Sequence, residues 1–152
     1  MLQGMQTAAS TGYRRTPFRH VINFLSRAAI TFGLGPSHRY LLTVVGRQSG
    51  RPYSTPVGLV IDGRQRWLVA PYGEVGWVRN ARAAGRVKLG RRGRTQSYLL
   101  EPAAVGEASR VLKAYLALEP ITRPFFAARA DDPVDAFAAE VGRHPVFRLV
   151  PA

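Results

Sequence analysis

The chain contains no cysteine, which removes disulfides, thiolate metal sites and cysteine nucleophiles together. It is also poor in acids: 9 Asp and Glu stand against 22 Lys and Arg, a formal charge of +13. Lysine is scarce as well, so that apart from Lys88 and Lys113 the positive charge is all arginine. A GC-rich genome would account for arginine over lysine but not for the excess over acids. That surplus implies an anionic partner: nucleic acid, phospholipid, or a small molecule carrying phosphate or carboxylates. His20, His38 and His144 lie far apart without carboxylates at helical spacing, so no metal site is expected. No apolar run reaches the ~20 residues of a membrane span. No G-x-G-x-x-G follows a strand pattern, which argues against a doubly wound nucleotide-binding fold. Nothing resembles an acid–base dyad or a nucleophile elbow: Asp131, Asp132 and Asp135 mark a helix entry, and Glu74 and Glu101 stand isolated.

What is present points to an α+β protein. At 152 residues the chain is long enough for one domain with a real core. Residues 1–14 are expected to be a disordered tail and 15–152 a single domain. Residues 18–32 place apolar side chains at helical spacing but are broken by Arg19, His20, Asn23 and Arg27. They read as an amphipathic helix packed on the domain rather than the apolar core of a signal peptide. A cytoplasmic protein is expected; the alternative rests this helix on the inner face of an anionic membrane.

Strand signals start at "YLLTVV" and continue through "STPVGLVI" and "RWLVAP", with Asp62-Gly63 as a hairpin signal. "GEVGWVRNARAAG" switches to helical spacing, opening near Val75 and closing at Gly85. "RVKLG" and "TQSYLLEP" form another hairpin around "RRGR". Residues 107–118 are helical, the stretch "EPITRPFFAARADDP" is a proline-punctuated connector, 134–141 is a short helix and "HPVFRLV" a strand. About six mostly antiparallel strands in so short a chain manage their edges best by curling into a small barrel.

Two stretches stand out chemically. The turn "GRQSGR" at residues 46–51 carries more than a tight turn requires: Arg47 and Arg51 add charge, and Gln48 and Ser49 add polar groups. Freed N–H groups in such a turn form an anion cradle, and an exposed hairpin with solvated arginines is the plainer alternative. The second stretch, residues 69–89, ends a strand at Ala70-Pro71 and opens a helix whose first turn holds Trp77. A helix N-terminus attracts anions, although Trp77 could equally be a core anchor. Between Val75 and Leu100 every charge is positive: Arg79, Arg82, Arg86, Lys88, Arg91, Arg92 and Arg94. If the protein is an enzyme, a bound cofactor carries its chemistry.

The run "LLTVVGRQSGRPYSTPVGLV…RWLVAPYGEVGWVRNARAAGRVKL", over roughly residues 39–101, resembles the deazaflavin-dependent nitroreductase family of actinobacteria. The resemblance rests on the strand–G-R-x-[ST]-G–strand turn and on the tryptophan and asparagine at the helix start. It implies a split β-barrel related to those of flavin mononucleotide-binding oxidases. It also implies binding of coenzyme F-420, whose tail carries phosphate and polyglutamate. By this resemblance Arg47, Gln48, Ser49, Gly50, Tyr53 and Pro56 would meet the anionic tail. Ala70, Pro71, Tyr72 and Gly73 would meet the ring edge or phosphate, and Gly76, Trp77 and Asn80 would complete the pocket. Relatives often carry lysine at Gln48, arginine at Tyr53 and sometimes lysine at Gly73. The implied reaction is hydride transfer to an electron-poor acceptor (quinone, enone or nitroaromatic), with Tyr72 touching the acceptor or donating a proton. The C-terminal region, where some relatives carry substrate tyrosines, holds Phe125, Phe126 and Phe137 instead. Three readings compete: a flavin mononucleotide (FMN) enzyme on the same barrel, a lipid-binding relative, and a nucleic-acid module using the 79–94 block. The last lacks interleaved aromatics and any docking motif, so no specific nucleic acid is expected. Pairing of two chains stays open.

Overall fold

The computed structural model describes Arg27, Ile30, Gly33 and residues 35–152. The expected tail at 1–14 lies outside these residues. So does the helix expected over 18–32, apart from Arg27 and Ile30, which are helical, with Ile30 buried. Six strands follow: β1 (Arg39–Val45), β2 (Pro52–Asp62), β3 (Gln65–Val69), β4 (Arg86–Arg91), β5 (Arg94–Pro102) and β6 (Val146–Pro151). They close into an antiparallel barrel in the order β1-β2-β3-β6-β5-β4.

Three neighbouring pairs are hairpins and were readable locally. At the β4–β5 turn, Arg92 and Gly93 both have positive φ, 54° and 71°, as a type I′ turn requires. The other three contacts are not local. β6 slots between β3 and β5, and β4 pairs back onto β1, so that no strand keeps a free edge.

Strand alternation sorts the side chains into two cores. Leu42, Val44, Leu59, Leu68, Val87, Leu89, Phe147 and Leu149 fill the barrel. Helix α1 (Gly76–Ala84) adds Val78 and Ala81 to that interior. On the outside, Val60 and Val69 meet helix α2 (Val105–Leu118). Buried positions on α2 fall at Ala108, Val111, Leu112, Tyr115 and Leu116, the spacing of one helical face. Each fully buried leucine contributes ~1.5–3 kcal/mol of transfer free energy, so both layers matter to stability.

Two expectations are corrected. The connector after α2 is not irregular throughout: Pro120–Phe125 winds into a 3-10 run, as does Val134–Glu140 where a short helix was expected. And one histidine does have a carboxylate four residues away. His144 Nε2 lies 3.2 Å from Glu140 Oε2, and the ring stacks on Phe126 at 3.8 Å. Burial pushes the His144 pKa down. No helix among the described residues is long and apolar enough to cross a membrane.

Candidate functional site

The 46–51 turn is held in shape by its own groups. Gly46 N–H donates to Arg51 O at 2.8 Å, and Gly50 N–H to Gly46 O at 2.9 Å. Arg51 N–H donates to Ser49 Oγ at 3.2 Å, and Ser49 Oγ shares a hydrogen bond with Tyr53 Oη at 3.2 Å. Glycine is needed at 46 because a Cβ there would stand 2.6 Å from both Ser49 Oγ and the Tyr53 ring.

The turn reaches α1 through one side chain. The Arg47 backbone N–H and its Nη1 both donate to Asn80 Oδ1, at 3.1 and 2.7 Å. With Oδ1 occupied twice, Asn80 has its amide hydrogens left to offer elsewhere.

Beside this junction lies a cleft of about 1000 Å³ along the first half of β2. Residues 53–58 form one wall. Pro71, Tyr72, Glu74 and Val75 form another, followed by Gly76, Trp77, Arg79 and Asn80 of α1. Tyr115 and Glu119, at the C-terminal end of α2, close the far end with Ile121 and Thr122, and Arg27 and Arg39 also line the space. Trp77 is half-buried and packs against the barrel core, so it is both an anchor and a cleft wall.

Of the residues singled out from sequence, the structure brings Tyr53, Pro56, Pro71, Tyr72, Gly76, Trp77 and Asn80 together in this cleft. Arg47, Gln48, Ser49 and Gly50 are exposed in the turn, outside the lining set. Arg47 and Ser49 nevertheless bond to lining residues, Asn80 and Tyr53. Ala70 is fully buried in the barrel core, and Gly73 packs toward Arg143 O; neither lines the cleft.

The one-signed arginine block does not form one face. Arg79 reaches the cleft, Arg82 pairs with Glu74 at 2.6 Å, and Arg91 donates to the carbonyls of Gly33, Gly35 and Arg39. Glu74 is therefore not isolated, and neither is Glu101, which lies 3.8 Å from Arg148.

The far end of the cleft was missed. Glu119, only 5% exposed, accepts from Arg39 Nη2 at 2.9 Å and lies 2.8 Å from His38 Nε2. Arg39 Nε is buried without a hydrogen-bond partner among the described residues. Gly58, opposite Arg39 on β2, leaves room for this carboxylate: a Cβ there would approach Glu119 Oε1 to 2.8 Å. This carboxylate–imidazole contact spans 81 residues and so leaves no local pattern in the sequence. Tyr115 had a signal, its place on the apolar stripe of α2, but the stripe pointed only to core. Burial, then the charge of Glu119, push the Tyr115 phenol pKa up, so it stays protonated. Exposed apolar side chains edge the same end: Tyr72 meets Phe125 edge-on at 4.8 Å, and Ile121 is 74% exposed.

The family model for the F420H2-dependent quinone reductases matches residues 18–131, most of the chain. The chain belongs to that family. Its quinone-reductase membership makes it an F-420-dependent oxidoreductase. Among solved structures it is similar to an F420-H2-dependent reductase, FDR-A, at 17% identity and a TM-score of 0.52, over 74% of this chain and 93% of that one. It is also similar to a protein of unknown function from Agrobacterium tumefaciens at 17% identity and TM-score 0.52, over 88% of this chain and 54% of that one. The heme storage protein HutZ of Vibrio cholerae matches at 12% identity and TM-score 0.51, over 85% of this chain and 87% of that one. At these identities the likenesses establish the split-barrel fold. No curated protein matches the chain.

Proposed function

We propose that the cleft holds coenzyme F-420 and an electron-poor acceptor side by side, with a quinone, enone or nitroaromatic as the acceptor. The observation that carries this reading is the convergence of Trp77, Asn80 and Arg79 with Tyr53 on one cleft of about 1000 Å³. The donor set fits the coenzyme. An indole gives a flat wall for a ring, and Arg79 with the free amide hydrogens of Asn80 suits phosphate or carboxylate. The family membership favours F-420 over FMN.

The coenzyme, once bound in reduced form, supplies the hydride; no protein nucleophile is needed. The chain's own task is placement. Trp77 and Pro71 bound the ring space, and Pro56 and Tyr53 line the β2 side. Arg47 and Ser49 keep Asn80 and Tyr53 in position from behind, while Gln48 and Gly50 shape the exposed turn that meets the outer part of the tail. Gly76 leaves the backbone at the start of α1 uncovered. Tyr72, with Phe125 at its edge, is placed to touch the acceptor and to keep water from it. Holding donor and acceptor at about 3–3.5 Å is where most of the rate gain comes from. The apolar rim of Tyr72, Phe125 and Ile121 suits a hydrophobic acceptor over a charged one. Titration of the purified protein with oxidised coenzyme, read by loss of coenzyme fluorescence, tests the reading. Saturable quenching at micromolar concentration is expected, and its absence would remove it.

A further inference from the structure

Two-electron reduction of a carbonyl-type acceptor leaves an oxygen anion that must take up a proton, and the sequence offered only Tyr72 as its source. We infer that His38 and Glu119 deliver this proton, with Glu119 at the cleft wall and His38 as the proton store behind it; the inference rests on the hydride-transfer reading above.

The geometry is specific. Glu119 lines the cleft while almost wholly withdrawn from bulk water, and its two oxygens are divided between His38 and Arg39. A buried carboxylate needs only one cation to be neutralised, and Arg39 already provides it. The bond to His38 at 2.8 Å is therefore additional, and imidazole is the side chain that takes and gives a proton near neutral pH. His38 is 16% exposed, enough for its ring to recover a proton from solvent, yet it does not line the cleft itself. The position of Glu119 is fixed from several sides. Its carbonyl accepts from Thr122 N–H and Oγ1 at 3.0 and 2.7 Å, its N–H donates to Tyr115 O at 2.8 Å, and Gly58 makes room for its carboxylate. So rigid a mount suits proton transfer better than a surface ion pair would.

The step balances. After hydride arrival the acceptor oxygen carries the negative charge. The Nε2–H bond of imidazolium breaks, the proton passes through the Glu119 carboxylate, and an O–H bond forms on the acceptor. Neutral His38 remains and is reprotonated from water. Arg27, Arg39, Tyr53, Tyr72, Glu74, Arg79 and Tyr115 are the other charged or titratable groups that line the cleft, and Glu74 is taken up by Arg82. Tyr115 stays a phenol and so does not compete as a base.

The test uses the full chain with His38→Gln and Glu119→Gln, F-420 and the short quinone 2-methyl-1,4-naphthoquinone. Both variants should bind oxidised coenzyme within about threefold of wild type by fluorescence, and both should lose on the order of 10²-fold in turnover with little change in quinone KM. Wild-type turnover should fall as pH rises past the imidazole range, and His38→Gln should flatten that fall. Added imidazole should restore turnover to His38→Ala. In the protein without coenzyme, the ring-proton NMR signals of His38 should shift in Glu119→Gln, because the 2.8 Å contact with the carboxylate is lost. If Glu119→Gln fails to fold, His38→Gln, which keeps the Arg39–Glu119 pair, decides alone. An unchanged pH profile in His38→Gln, or no rescue by imidazole, overturns the inference while leaving the hydride-transfer reading intact. Wild-type protein that does not quench the coenzyme overturns that reading and this inference with it.

Discussion

Asn80 joins two stretches that are 33 residues apart, because its Oδ1 accepts twice from Arg47. One of those donors is charged, and such bonds contribute ~1.5–3 kcal/mol. Asn80→Ala removes this tie together with the amide hydrogens proposed to meet the coenzyme, and should raise the coenzyme Kd about 10- to 100-fold, read by fluorescence titration, with the fold intact by circular dichroism. Gly58 makes a complementary case. Its β2 position faces Glu119, and a Cβ would enter a 2.8 Å contact with a carboxylate already held by two partners. Gly58→Ala should cost ~1–3 kcal/mol, the range for forced overpacking, and lower Tm by about 3–10 °C for a chain of this size. At this scale the sequence showed which residue types cluster, since the turn and the Trp77–Asn80 spacing are both local. It could not show that His38 meets Glu119, because neither side chain has any partner near it in the chain.

Among the elements, α2 has the most to hold. It covers the outer face of β2 and β3 with Leu112 at the centre of the second core, and its C-terminal end carries Tyr115 and Glu119 into the cleft. Leu112→Ala should destabilise by ~2–5 kcal/mol in denaturant unfolding, through lost transfer energy and the cavity left behind. The helix is also tied at its start. Glu107 accepts from Trp67 Nε1 at 2.6 Å and from Arg148 Nε at 2.8 Å, so α2, β3 and β6 share one carboxylate. The Arg148 guanidinium, most of all, holds the Glu107 pKa below its ordinary 4.5. Since the folded value is depressed, the contribution is complete above pH 4.5 and is lost as pH falls through the lower folded value. The gap in Tm between wild type and Glu107→Gln should be widest near neutrality and close below that pH. The period of α2 was plain in its sequence, and so were the hairpins. The 3-10 run at 120–125 was not, because its proline-broken stretch carries no repeat to read, and at 134–140 the expected short helix proved to be a 3-10 run.

For the molecule as a whole, barrel closure is what makes a cleft possible. Because β6 returns between β3 and β5, the loop after β3, the start of α1 and the end of α2 are all anchored to one rigid wall. A ligand that binds only the folded form stabilises it in proportion to saturation. At a hundredfold excess over Kd, coenzyme should add ~2.7 kcal/mol, a rise in Tm of about 5–11 °C. A thermal scan with and without coenzyme checks this, and the shift should shrink in Asn80→Ala.

The amino-acid order by itself determined the fold class, the hairpins, the amphipathic face of α2 and the motif at residues 46–80, since strand alternation, turn chemistry and helical period act between near neighbours. Only the tertiary structure decided where charge and acid go. It gave the arginines of the block different partners, joined exposed Arg47 and Ser49 to the cleft residues Asn80 and Tyr53, and brought Glu119 against His38 and Arg39. The reason is that pairings across 80 residues depend on how the barrel closes, and closure is set by the sum of core contacts rather than by any one segment.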